Sequence, residues 1–207
     1  MKIMTTKFIK SPNYSERDGQ QVLCIVCHIT DGDKRSVISH FTNPASKVSA
    51  HYLVTRAGDI IQFVDERFAA WHSGYRVNPT AKLALENPDI NFNKLSIGIE
   101  HEAFSNQDLT EVQYVSSAKL ISEICQRHAI PKDREHILKH REIRSSKFCP
   151  GIISIEKIIG LTFNPPTINE IELLKVKISL LQRLLELLKS LSSFQRLGGS
   201  DDEKGEL

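Results

Sequence analysis

Eight consecutive residues, Val22 to Ile29 (VLCIVCHI), constrain this chain more than any other stretch. The run is short, apolar and rich in β-branched side chains, so it reads as a strand buried inside a sheet. Side chains alternate along a strand. Cys24, Val26 and His28 therefore share one face, and Leu23, Ile25 and Cys27 the other. The apparent CxxC pair is thus split across the sheet, which argues for two core cysteines over a zinc knuckle or redox motif. His28 is left as a polar residue at the C-terminal end of a buried strand, where α/β sheets build their sites. Taken alone, it reads as a satisfied structural histidine before it reads as a ligand.

The flanking segments supply the partners such a strand needs. Residues up to about 20 are polar and turn-rich, an arm laid over the domain. DGDKR (31–35) is a turn, and SVISHF (36–41) a short helix or strand. Residues 51–64 form a hairpin around Arg56-Ala57-Gly58-Asp59. Residues 75–94 contain two Pro and four Asn, a long loop with room for one helical turn. LSIGIEHEA (95–103) alternates as a further strand. Residues 109–129 carry helical spacing, with Asp108 as the expected N-cap and Glu111 three residues on. Residues 136–151 are polar and end in Cys149-Pro150-Gly151, a loop signature. The expected fold class is α/β, with a mixed central sheet of about five or six strands flanked by helices.

The pattern changes at Asn164-Pro165-Pro166. Thr167 and Glu170 then form a capping box. Ile171, Leu174, Ile178, Leu181, Leu185 and Leu188 follow the 3-4 spacing of a heptad seam. Leu173, Leu180, Leu184, Leu187 and Leu191 widen the apolar surface beyond one seam. The expected division is a domain over 1–165, a long C-terminal amphipathic helix over 166–197, and a disordered Gly/Asp/Glu-rich tail over 198–207. Such a helix must pack on the domain, on another partner, or on a copy of itself, so a homo-oligomer through 168–191 is expected as one outcome.

Hydrophobic residues at 40% and charged residues at 25% exclude wholesale disorder. A net charge of +2 gives no electrostatic case for nucleic acid. No apolar run is long enough for a membrane span. The N-terminus lacks the apolar core of a signal peptide, so cytoplasmic synthesis is expected. Four cysteines in a chain of 207 residues are not a disulfide framework and leave thiol or metal roles open.

Several side chains carry possible chemistry. His140 and Cys149 stand nine apart in a polar loop, HREIRSSKFC, that gives a thiol no packing reason to be there. A metal ligand, a nucleophile and a structural role are all open for it. His136 and His140 are four apart, but Ile137 replaces the Glu of an HExxH metalloprotease motif, so His136 is read as incidental. In LSIGIEHEA, Ser96, Gly98, Glu100 and Glu102 share a face that runs from small residues to carboxylates. That suggests a backbone kept open for something close by, against the plainer reading of a solvent-facing edge. Trp71-His72-Ser73-Gly74 holds the only Trp, suited to stacking on a sugar or to a satellite core. His51 is read as structural or peripheral.

The order of these landmarks is more informative than any one of them. His28, SAHY (49–52), Arg56-Ala57-Gly58-Asp59, AWHSG (70–74), SIGIE (96–100) and His140 to Cys149-Pro150-Gly151 together resemble the zinc-dependent N-acetylmuramoyl-L-alanine amidases of the type 2 amidase and peptidoglycan recognition protein family. The resemblance covers residues 10–155, and SPNYSER before a strand ending in His is similar to the endolysin and prophage branch. It implies one Zn2+ per chain, held by His28, His140 and Cys149. It implies Glu100 as the catalytic glutamate, Lys147 as a residue assisting the transition state, and Trp71 and His72 as candidate substrate-binding residues. The third ligand is Asp in many bacterial members and Cys here. A Tyr that some relatives carry before the residue matching His51 is Ala50 here, so a glutamate-based mechanism is implied. The implied reaction is hydrolysis of the bond between N-acetylmuramic acid and L-alanine, with peptidoglycan or muropeptides as partners. The implied place of action is the cell wall after release by a holin-type route, or recycled muropeptides in the cytoplasm. A non-catalytic peptidoglycan-binding module is the alternative.

Overall fold

A computed structural model of the chain describes residues 7–163 and 168–197. It divides into two compact units, residues 1–166 and 167–207. In chain order the strands of the first unit are β1 (Lys7–Phe8), β2 (Tyr14–Ser15), β3 (Cys24–Ile29), β4 (Tyr52–Val54), β5 (Ile60–Gln62), β6 (Ala69–Ala70), β7 (Ser96–His101) and β8 (Ile137–Lys139). Its helices are α1 (Lys34–Thr42), α2 (Lys82–Glu86), α3 (Glu111–His128) and α4 (Ile155–Thr162).

Six strands make one sheet in the order β1-β5-β4-β7-β3-β8, and β2 pairs separately with β6. Only β4 and β5 run antiparallel within the large sheet, as the hairpin pattern predicted; the other neighbours are parallel. Gly58 takes φ +81° in that hairpin turn, and an added Cβ would lie 2.2 Å from a Val112 methyl. The VLCIVCHI run becomes the strand between β7 and β8, with every residue of β3 buried. This is what a near-continuous apolar run does in a parallel sheet covered on both sides.

The alternation read from the sequence divides the core. Ile25, Cys27, Ile97 and Ile99 pack with Leu120, Ile121 and Ile124 of α3 and Ile155 and Ile158 of α4. Cys24 and Val26 face the other way, with Ala84 of α2 and Phe92, Leu95 and Leu138. Leu53, Ile61 and Phe63 pack there against Val37 and Phe41 of α1. The two cysteines of the CxxC pair are fully buried in different clusters.

Local details differ from the sequence reading. α3 is capped by Thr110, not Asp108: the Thr110 hydroxyl accepts from Gln113 N, and the Gln113 side chain accepts from Thr110 N. Asp108 instead accepts from the Tyr114 hydroxyl and Leu109 N. The 136–151 segment is not wholly loop, because Ile137 and Leu138 are buried as β8 against β3. The N-terminal arm is pinned by Arg17, whose buried guanidinium donates to the carbonyls of Glu66, Asn93, Lys94 and Ser96. Burial lowers its pKa to about 10.

The second unit holds α5 (Ile168–Leu197). Leu181, Leu185 and Leu188 of the seam are 64%, 52% and 54% exposed, and Leu180, Leu184 and Leu187 beside them are exposed as well. The expected Thr167 cap and the 198–207 tail lie outside the described residues, as do the side chains of Ile171 and Leu191. No helix among the described residues is long and apolar enough to cross a membrane.

Candidate metal centre

Strand pairing brings the chemistry to one end of the sheet. β3 and β7 run parallel with Cys24 opposite Ser96, Val26 opposite Gly98 and His28 opposite Glu100. The small residues and the carboxylate of SIGIE therefore stand beside the face that ends in His28. On the other side of β3, Cys27 pairs with Lys139, so the next residue, His140, leaves the sheet at the same end. A 3-10 turn over His140–Glu142 then leads into the loop that returns Cys149.

His28 Nδ1 lies 3.1 Å from His140 Nδ1 and 3.7 Å from Cys149 Sγ. Ligand atoms of all three residues fall within 4.8 Å of one another, and among the described residues no other His, Cys, Asp or Glu group does this. The residues fit a zinc ion. Bonds of about 2.0–2.1 Å to nitrogen and about 2.3 Å to sulfur separate tetrahedral ligands by about 3.3 Å (N to N) and about 3.6 Å (N to S). The protonation pattern agrees. His140 Nε2 lies 3.0 Å from the Ser73 carbonyl, which can only accept, so Nε2 carries the hydrogen and Nδ1 turns a lone pair inward.

The electrostatics disfavour this cluster without a cation. Burial, then the neighbouring His140 and His72, holds His28 well below the ordinary imidazole range. Burial brings His140 down to about 4 against the Ser73 hydrogen bond. Burial, then Glu100, pushes the Cys149 thiol up. Burial alone pushes Glu100 up to about 8, and its Oε2 is buried with no hydrogen-bond partner. Two neutral imidazoles, a thiol that resists ionising and an orphaned carboxyl oxygen are the set a divalent cation would satisfy.

The cluster opens into a cavity of about 620 Å3 that His28, Trp71, His72, Glu100, Lys147 and Cys149 help to line. Lys147 is exposed, and its charge contributes to depressing both His28 and His140. Trp71 is half-buried and its indole N–H donates to Ser15 on β2, 3.4 Å away. His72 sits deeper, with Nδ1 3.1 Å from His28 Nε2. His51 is fully buried: its Nδ1 accepts from Gly98 N and its Nε2 contacts the Phe68 carbonyl. His136 is away from the cluster, on Asp133.

Sequence reading missed two supports. Arg141 N donates to Cys149 O, and its guanidinium donates to the carbonyls of Phe148 and Gly151 while lying 4.9 Å from the Phe148 ring. It clamps the loop that carries Cys149. The Asn93 side-chain oxygen accepts from His72 N, Ser73 N and the Ser73 hydroxyl, fixing the turn whose carbonyl His140 uses. Arg141 was visible only as one more cation in a polar loop, and Asn93 as one Asn among four.

The N-acetylmuramoyl-L-alanine amidase family profile matches residues 18–152. The chain is 32% identical over 123 residues to N-acetylmuramoyl-L-alanine amidase A of Achromobacter lyticus, covering 58% of this chain and 60% of that one. It is 35% identical over 107 residues to 1,6-anhydro-N-acetylmuramyl-L-alanine amidase AmpD of Haemophilus influenzae, covering 51% and 53%. The match thus spans less than two thirds of either relative's length. A crystal structure of a selenomethionine AmpD derivative has the same fold, with a TM-score of 0.62 at 24% identity over 75% of this chain and 93% of the other.

Proposed function

The chain belongs to the N-acetylmuramoyl-L-alanine amidase family, and from that premise we propose that it hydrolyses the amide between N-acetylmuramic acid and L-alanine of peptidoglycan with one bound zinc ion. The observation that carries the reading is the convergence of His28, His140 and Cys149 at one end of the sheet, beside the half-buried Glu100 carboxylate and above an open cavity. These three side chains would hold the zinc. When bound, the ion supplies Lewis acidity toward a carbonyl and lowers the pKa of a water from 15.7 to about 7.

The residues then have separate tasks. Glu100 takes the proton of the attacking water and returns it to the leaving nitrogen, which the amide needs because an unprotonated amine leaves poorly. Lys147 places a positive charge at the cavity wall, where the tetrahedral oxyanion develops; a donor in that role is worth about 3 kcal/mol. Trp71 offers an aromatic face for the sugar ring. Both named relatives act, by their names, on muramyl-L-alanine amides, which supports the same bond here.

The test is mass spectrometry of products from purified peptidoglycan, with and without a zinc chelator. The expected result is stem peptides with a free L-alanine amine, lost on chelation and restored by added zinc. Binding to the wall without cleavage would return the non-catalytic module. Equal yields from intact wall and from soluble muropeptides would remove any assignment to wall lysis or to recycling.

For α5 the reading is self-association over 168–191, supported by the exposed Leu181, Leu185 and Leu188 on one heptad seam. Sedimentation of the full chain should give an oligomer, and replacing those three leucines by serine should give a monomer with unchanged hydrolysis. A monomeric wild-type chain at micromolar concentration would end this reading.

A further inference from the structure

His72 touches His28 from behind, on the nitrogen that faces away from Cys149 and His140. We propose that His72, with Ser96 beneath it, is a positioning relay that commits His28 to bind metal through Nδ1. The inference rests on the reading of His28 as a metal ligand and deepens it.

The direction of the relay follows from its far end. The Ser96 hydroxyl lies 2.7 Å from the Phe92 carbonyl, which can only accept, so the hydroxyl hydrogen is spent there. What Ser96 Oγ offers to His72 Nε2, 3.2 Å away, is therefore a lone pair, and His72 Nε2 carries the hydrogen. A neutral imidazole has one N–H, so His72 Nδ1 is the acceptor. It accepts from His28 Nε2 at 3.1 Å, and His28 Nδ1 is left with its lone pair pointing at His140 Nδ1. His140 is fixed in the same sense by the Ser73 carbonyl. Two lone pairs then face each other across 3.1 Å with no hydrogen between them, an arrangement that only an electrophile relieves.

The fold makes room for this relay. Gly98 lies on β7 between Ser96 and Glu100, and a Cβ there would come 2.4 Å from His72 Cγ. The small residue in SIGIE is what lets the ring lie flat over the strand beside the metal cluster. His72 thus acts on the reaction through His28, beyond the substrate contact expected from the AWHSG motif.

The experiment measures zinc affinity of the full chain by competition with a chromophoric chelator, and the His28 tautomer by long-range 15N–1H NMR of the metal-free protein. Wild type should bind one zinc and show Nε2–H at His28. His72→Phe keeps the ring and removes both nitrogens. It should weaken zinc about 10–100-fold and mix the His28 tautomers, as loss of outer-shell partners of metal-ligating imidazoles does. His72→Asn restores an acceptor near the Nδ1 position and should recover most of the affinity. Ser96→Ala, a smaller change, should shift the tautomer in the same direction as His72→Phe and serves if that variant fails to fold. Zinc affinity within threefold of wild type together with an unchanged His28 tautomer, in either His72→Phe or Ser96→Ala, would overturn the relay. A wild type that binds no zinc would instead overturn the ligand assignment, and the tautomer reading of the metal-free protein still decides the relay.

Discussion

Glu100→Gln is expected to keep one zinc per chain and to lose at least about two orders of magnitude in turnover, the contribution typical of a positioned general base. The substitution preserves shape and removes only the capacity to take a proton. Glu100 stands beside His28 in the strand register but is not in the ligand cluster, so the metal should stay. A second signature separates a catalytic carboxylate from a structural one. Burial raises the Glu100 pKa from 4.5 to about 8 in the metal-free protein, so the folded state favours the neutral acid. The sign follows: the unfolded chain releases this proton above about pH 4.5, and stability is lost progressively as pH rises toward 8. A neutral Gln escapes that loss. Metal-free Glu100→Gln should therefore melt above metal-free wild type, with a gap that widens from pH 5 to 8. A cation in the cluster favours the carboxylate and should narrow the gap. Turnover near wild type, measured with metal content confirmed, would remove Glu100 from the base role.

The sheet was legible because its signals are local and periodic. VLCIVCHI can be buried on both faces only as an inner strand, and the alternation of LSIGIEHEA placed Gly98 and Glu100 on one side before any neighbour was known. What alternation cannot give is the neighbour itself. That Glu100 lies opposite His28 depends on a parallel register between strands 72 residues apart. That His140 joins them depends on β8, a three-residue strand hidden in a polar segment where Ile137 and Leu138 are too few to make a pattern. The Asp108 cap failed for a related reason: Asp108 and Thr110 are both good cap residues two positions apart. Gln113, which reaches back to Thr110, decides between them only once the helix exists.

The site was legible as residue types and not as roles. Cys149 stood out because a polar loop gives a thiol no packing reason that the sequence shows, although the fold packs it partly against the main core; the landmark order made it a ligand by resemblance. His72 showed only one side of its position in the sequence. Beside the only Trp it looks like part of a binding surface, and its position over Gly98, reaching the rear of His28, exists only when β7 and the 70–74 loop are brought together. Arg141 and Asn93 left no sequence signal at all, since their work is done on backbone carbonyls and amides of loops whose paths the sequence does not encode locally.

Cys149→Ala is expected to abolish both metal binding and hydrolysis. On the proposed reading the thiolate would be the only anionic ligand of the three, and the two remaining imidazoles are neutral, so the variant would lose the charge needed to hold a divalent cation. Loss of the metal must be distinguished from loss of the fold, and the structure makes that possible. The Arg141 clamp holds the Cys149 backbone without using the sulfur, whereas Ile29 N, which donates to Sγ at 3.4 Å, loses that partner in the variant. Removing the half-buried sulfur should therefore cost the metal-free protein no more than about 1–3 kcal/mol, and leave it folded. Added zinc should raise the wild-type stability by about 4 kcal/mol at a thousandfold excess over its dissociation constant, and leave the alanine variant unmoved. Cys149→Asp restores an anionic ligand and should recover part of the zinc-induced shift, with weaker binding because oxygen replaces a sulfur placed for the longer bond. Stoichiometric zinc retained by Cys149→Ala after dialysis would place the third ligand elsewhere, and with it the centre from which the amidase reading of this chain is built.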